Sequence, residues 1–116
     1  MHLVTSPQAD SRLLERHDLI RIEEGTLIVQ CDQHYQDGRN ETITLRVTPD
    51  DEICLERQNG YMRGGSACGF DAHVAMHLRM AAVPLLANPL EGVANGVDLL
   101  VATAERHTSV ALHALN

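Results

Sequence analysis

The sequence predicts an α+β fold: a small antiparallel sheet of three or four strands from the first half, with helices from the second half packed on one face. Three observations carry this. Thr42–Val47 alternates cleanly, with Ile43, Leu45 and Val47 on one face and Thr42, Thr44 and Arg46 on the other, the pattern of a half-buried antiparallel strand. From about Phe70 the apolar period becomes helical, with Val74, Leu78, Ala81 and Leu85 on one stripe. The small-residue stretch Gly64–Gly69 separates the two patterns, strands in the first half and helices in the second.

Taken in order, Ser6-Pro7 opens a short helical segment over about residues 7–17, with Leu13 and Leu14 apolar. Leu19-Ile20-Arg21-Ile22 reads as a strand, and Glu24-Gly25 as a turn. Leu27–Cys31 is a second strand, rich in β-branched residues. The stretch from Asp32 to Asn40 is polar, with Asp37-Gly38 as a turn signal. Thr42–Val47 follows, then the turn Pro49-Asp50-Asp51, then a hairpin partner over Ile53–Arg57 that ends at Asn59-Gly60. Gly64–Gly69 reads as a flexible loop of small residues.

Asp71 or Ser66 can cap the helix that begins near Phe70, and Pro84 should kink or end it. Asn88-Pro89-Leu90-Glu91 starts another: Asn as cap, Pro at the first helical position, Glu three residues on. This second helix runs toward Arg106. The tail Thr108–Leu115 fits a last helix or an edge strand. Gly92 and Gly96 form a small-xxx-small pair that permits close helix approach. No internal repeat or low-complexity segment is visible.

A length of 116 residues fits a single domain spanning 1–116, large enough for a core without staples. The three cysteines, Cys31, Cys54 and Cys68, are odd in number and form no CxxC pair. Reduced thiols, no intrachain disulfide and a cytoplasmic location are the expectation. No basic n-region with a long apolar stretch opens the chain, and no apolar run approaches membrane-spanning length. No membrane association is therefore expected.

All nine basic residues are arginine, which excludes a P-loop lysine, a Schiff-base lysine and a lysine general base. The formal charge is −7: residues 1–60 carry twelve acids against six arginines, and 61–116 four against three. Such a chain is repelled by phosphate backbones, so nucleic acid is not an expected partner, while a basic protein partner is compatible.

The candidate chemistry centres on Cys68, His73 and His77. His73 and His77 are spaced i, i+4 and share a helix face that can hold a metal through two imidazoles, with Cys68, Asp71 or His107 completing the set. The pair also flanks the apolar stripe and lacks the intervening Glu of a metalloprotease helix, which is how solvated histidines sit. Cys68 follows a glycine-rich loop near an expected helix N-terminus, where backbone N–H groups would stabilise a thiolate nucleophile; the alternative is a small buried hydrophobe. Gly64-Gly65-Ser66-Ala67 could cradle an anion but lacks a phosphate-loop spacing, and Ser66 has no Gly-x-Ser-x-Gly frame. The residues point to no cofactor and to no committed catalytic group.

Four stretches carry a resemblance: His34-Tyr35-Gln36-Asp37-Gly38-Arg39-Asn40, Thr44–Asp51, Gly64-Gly65-Ser66-Ala67, and Arg106-His107-Thr108-Ser109 with Leu112. Together, over about half the chain, they resemble the U-type iron–sulfur cluster scaffold family (the IscU and SufU scaffolds and the NifU amino-terminal domain). That family holds its cluster with about three thiolates and an Asp at one end of the sheet. The resemblance places those positions on Arg39-Asn40-Glu41, Gly64, and Thr108 or Ser109, none of them Cys. It therefore implies a scaffold-like fold with a degenerate site and no bound cluster. The function that follows is a non-catalytic, cytosolic protein-binding or accessory role. A second resemblance, through Leu85-Leu86-Ala87-Asn88 and a pI near 5.3, is to the small acidic chaperones of type III secretion, which bind a partner protein. The long helix from Phe70 and the missing closing helix depart from that pattern. A third reading is a metal- or thiol-dependent protein using Cys68, His73 and His77.

The partner surface is expected in the helical second half, as a homodimer or a protein complex. There Val74, Leu78 and Leu85 can pack on the sheet, while Ala75, Ala82 and Leu86, further round the helix, need a second cover. The alternative is that the helix from Asn88 supplies that cover within one chain.

Overall fold

A computed structural model of the chain describes residues 12–59, 65–87 and 93–115. Five strands come first: β1 (Leu13–Glu23), β2 (Thr26–Tyr35), β3 (Asn40–Val47), β4 (Glu52–Asn59) and β5 (Ser66–Phe70). Two helices follow, α1 (Ala72–Ala87) and α2 (Val93–Leu115). The strands form one antiparallel meander in the order β1-β2-β3-β4-β5, so the expected three or four strands become five.

The hairpin turns explain the short connections. Glu24 and Gly25 both have positive φ (51° and 82°) between the paired residues Glu23 and Thr26, the backbone of a two-residue type I′ turn. At the second hairpin, Gly38 donates its N–H to the Tyr35 carbonyl and Asp37 accepts from the Arg39 N–H. The Arg39 guanidinium lies 4.2 Å from the Tyr35 ring centre. At the third, Pro49 follows Thr48, Asp51 donates to the Thr48 carbonyl, and Asp51 takes φ 66°. This is a type I turn closed by a left-handed residue.

Strand alternation separates two faces. Leu27, Val29 and Cys31 of β2, Ile43, Leu45 and Val47 of β3, and Ile53 and Leu55 of β4 are all buried on the helix-bearing face. They meet Ala75, Leu78 and Ala82 of α1 and Val97, Leu100 and Ala104 of α2 in one contiguous core. Among the described residues the other face carries no helix.

Several expectations change. The helix expected over 7–17 is strand from Leu13 onward; its residues 7–11 lie outside the described ones. The inward positions Arg16 and Asp18, opposite Gln33 and Cys31, hid the alternation because they are charged. β2 extends through the polar residues to Tyr35. The small-residue loop is strand β5, paired with β4 from Glu56–Ser66 to Glu52–Phe70. Its inward residues are Ala67 and Gly69, and their small size leaves room for α2, which packs on this edge.

On α1 the core line is Ala75, Leu78 and Ala82, flanked by Val74 and Leu85. Ala75 and Ala82 are therefore buried in the core that α1 shares with the sheet and α2, whereas Leu86 stays exposed. α1 runs three residues beyond Pro84 instead of ending there. The segment 108–115 is helix, continuous with α2. The start signal at Asn88–Glu91 lies outside the described residues.

Three ion pairs tie the helices to the sheet. Arg79 of α1 bonds Asp51 at 3.0 Å, Asp98 of α2 bonds Arg16 at 2.9 Å, and Glu105 of α2 bonds Arg57. Among the described residues no helix is long and apolar enough to cross a membrane.

Candidate functional site

The site is built by β4 and β5. Arg57 N–H donates to the Gly65 carbonyl and Asp71 N–H to the Asp51 carbonyl. Alternation from these anchors puts the Cys54–Cys68 pair at a non-hydrogen-bonded position, where opposed side chains approach most closely. Their Cα atoms are 4.2 Å apart and a disulfide joins them. The expectation of no intrachain disulfide is thus overturned. An odd cysteine count cannot show that two of three cysteines face one another across neighbouring strands. Glu52 lies two residues before Cys54, on the same face. Its carboxylate oxygen and the two sulfurs all lie within 4.8 Å of one another. Cys54 and Glu52 are half-buried and Cys68 is exposed.

Cys31 is the free thiol, buried on the opposite face. Burial first, and then the adjoining Asp18 carboxylate, push its pKa up to about 12. Such a thiol is inert.

The candidates read from the sequence are dispersed. Cys68 sits within β5 and not at the N-terminus of α1, and its sulfur lies on the face away from the helices. His73 and His77 are exposed on α1. The cluster of metal-ligating atoms found among the described residues holds neither of them. Asp71 caps α1 by accepting the N–H groups of His73 and Val74 at 3.0 and 3.1 Å. The Val74 N–H above all, then that of His73 and the nearby His107, hold its carboxyl below the usual carboxylate range. His107 Nδ1 is 4.0 Å from Asp71, and its buried Nε2 has no hydrogen-bond partner among the described residues.

Of the positions singled out by the scaffold resemblance, Arg39, Asn40 and Glu41 lie at the β2–β3 hairpin, and Gly64 is outside the described residues. Thr108 is buried on α2, its hydroxyl donating to the Ala104 carbonyl at 2.8 Å. Thr108 shares a cavity of about 210 Å³ with Gly65, Ser66, Arg57 and Glu105.

Sequence reasoning missed Glu52 and Cys54. The usable signal was their i, i+2 spacing on a strand, with Cys68 in the next segment able to pair. The outer helical surface is a second feature: Met76, Met80 and Val83 of α1 and Leu99 of α2 are all at least half exposed. Compared with protein-family models, curated proteins and solved structures, the chain matches none.

Proposed function

We propose that this chain is a non-catalytic protein-binding, accessory protein that assembles through the outer surface of its helical layer, with a second copy of itself as the occupant. The observation that carries this is the stripe Met76, Met80, Val83 on α1 with Leu99 on α2. The first three recur at i, i+4, i+7 opposite the buried line, and Met80 and Leu99 are 65 % and 69 % exposed. Exposed apolar side chains recurring along one side of a helix favour burial against another protein, and methionine adapts to irregular partners.

Charge supports a like partner. The chain carries −7 overall, yet α1 and α2 together hold only Arg79, Arg106, Asp98 and Glu105, which sum to zero. Three of these four are turned to the sheet by ion pairs. Two acidic copies can therefore meet across the helical layer without mutual repulsion, and an isologous dimer is the simplest closed arrangement. A degenerate scaffold-like role, as the resemblance implies, fits the same reading.

Sedimentation velocity over a wide concentration range tests it. Reversible self-association, abolished in Met80→Glu with an unchanged far-UV spectrum, is the expected result. A strict monomer, or association indifferent to Met80→Glu, overturns it.

A further inference from the structure

We propose that Cys54 and Cys68, when reduced, form with Glu52 a surface site for a thiophilic divalent cation of the Zn²⁺ class, which oxidation to the disulfide closes. Three observations on the open face of the sheet lead there. The pairing register fixes Cys54 directly across from Cys68, so both sulfurs are positioned by backbone hydrogen bonds and not by a mobile loop. Glu52 adds a carboxylate on the same face, and all three donor atoms already lie within 4.8 Å. Tetrahedral zinc with Zn–S bonds of about 2.3 Å needs its sulfurs only about 3.8 Å apart. Two thiolates and one carboxylate leave a fourth position for water.

Exposure makes the switch accessible. Cys68 is exposed and Cys54 half-buried on the face turned away from α1 and α2, where a dithiol reductant can reach the bond. Its thiolate attacks one sulfur, the S–S bond breaks, and the mixed disulfide is resolved by the reductant's second thiol. Two electrons and two protons pass to Cys54 and Cys68, and the reductant leaves as its own disulfide. On loading, the two thiols release two protons to solvent as two metal–sulfur bonds and one metal–oxygen bond form. A disulfide or peroxide oxidant withdraws two electrons from the thiolates, re-forms the S–S bond and expels the metal. Cys31 takes no part, being buried on the other face.

The bland alternative is a disulfide that only staples β4 to β5. Titration of reduced, desalted, anaerobic protein with Co²⁺ separates the two. One equivalent should bind per chain, with a thiolate-to-cobalt band in the near ultraviolet that Zn²⁺ abolishes. The oxidised protein should give no band. Cys31→Ala should keep the band, and Cys68→Ser should lose it. Glu52→Gln leaves both sulfurs and the disulfide intact; it should keep the band but weaken the metal by at least about tenfold. Reduced protein that takes up no Co²⁺, or that loses its far-UV signal, overturns the proposal. So does a band unchanged in Cys68→Ser, or a half-equivalent stoichiometry indifferent to Glu52→Gln.

Discussion

Leu85 of α1 lies directly over Gly96 of α2: a Cβ placed on Gly96 would come within 2.5 Å of Leu85 Cδ2 and 2.8 Å of Cδ1. The missing side chain at Gly96 thus lets Leu85 pack against the backbone of α2, a close helix approach of the kind expected of this glycine. Two effects of Gly96→Ala oppose each other. Alanine favours the helix by about 1 kcal/mol, and overpacking against both Leu85 methyls costs about 1–3 kcal/mol. A net loss of about 1 kcal/mol is expected in urea unfolding. In a Leu85→Ala background the clash is gone, and the same substitution should stabilise by up to about 1 kcal/mol. The reversal of sign is the readout, and two losses of equal size would refute the contact.

Cys31 should set the alkaline limit of stability. Its folded pKa is raised to about 12 by burial and the Asp18 carboxylate, above the value of 9.0 for an unperturbed thiol. Between these values the unfolded chain has released the thiol proton and the native protein keeps it. The stabilisation is complete below about pH 9 and is lost as pH rises toward 12, with a slope of at most about 1.4 kcal/mol per pH unit. Unfolding measured from pH 8 to 11 should show this decline, and Cys31→Ala should flatten it. In the native protein at pH 8, thiol reagents should leave Cys31 unmodified.

The Cys54–Cys68 bond closes a short loop, the two residues being 14 apart in sequence. Restricting the unfolded chain over such a loop contributes about 3 kcal/mol. Intact-mass measurement under non-reducing conditions should show the two-hydrogen deficit. Cys54→Ser should lower unfolding stability by roughly 2–3 kcal/mol. It should also make stability indifferent to added reductant, whereas the native chain responds to it. Cys54 and Cys68 thiols that stay free after mild oxidation of metal-free protein would contradict the pairing.

How far the sequence reached can be judged at particular residues. β3 was legible because Ile43, Leu45 and Val47 alternate with polar neighbours and are buried as that pattern implies; the core half of β2 was legible from the apolar, β-branched run Leu27-Ile28-Val29. Of β1 only Leu19–Ile22 was legible as strand; the part before it was not, because two of its inward positions are Arg16 and Asp18. Their burial depends on partners 2 and 82 residues away, at Asp18 and Asp98. β5 was not, because Ala67 and Gly69 have strand roles only when α2 lies over them. The helical extension through Thr108 was open in sequence, since the β-branched Thr108 and Val110 favour strands. The Thr108 hydroxyl bond to Ala104 belongs to the helix itself. The candidate site failed for a similar reason. Spacing placed His73 and His77 together on a helix face, but whether Cys68 joins them is a question of sheet face, which only the β4–β5 register decides.

The inward-facing pair Arg16 and Asp18 gives the sharpest test of the fold's polar interior. Arg16 Nε lies 3.0 Å and 3.1 Å from the two Asp18 oxygens, and its Nη2 reaches Asp98 at 2.9 Å and the Ala94 carbonyl at 3.2 Å. The Asp18 side chain is only 8 % exposed, whereas Asp98 is 63 % exposed. The partners should therefore be unequal. Arg16→Met strands a buried carboxylate against the Cys31 thiol and cuts the tie from β1 to α2, so a loss of about 3 kcal/mol is expected. Asp18→Leu leaves Arg16 paired with Asp98 and the Ala94 carbonyl, and a smaller loss of about 1–2 kcal/mol is expected. The double variant Arg16→Met/Asp18→Leu replaces both charges with apolar groups on the core side of β1, beside Ile20. Desolvation of both ions is then avoided, and stability should return to within about 1 kcal/mol of the native chain. Urea unfolding of the four proteins at pH 7 measures the coupling directly. Strictly additive losses in the double variant would show that the two side chains act independently and that Arg16 and Asp18 are not coupled as a buried pair.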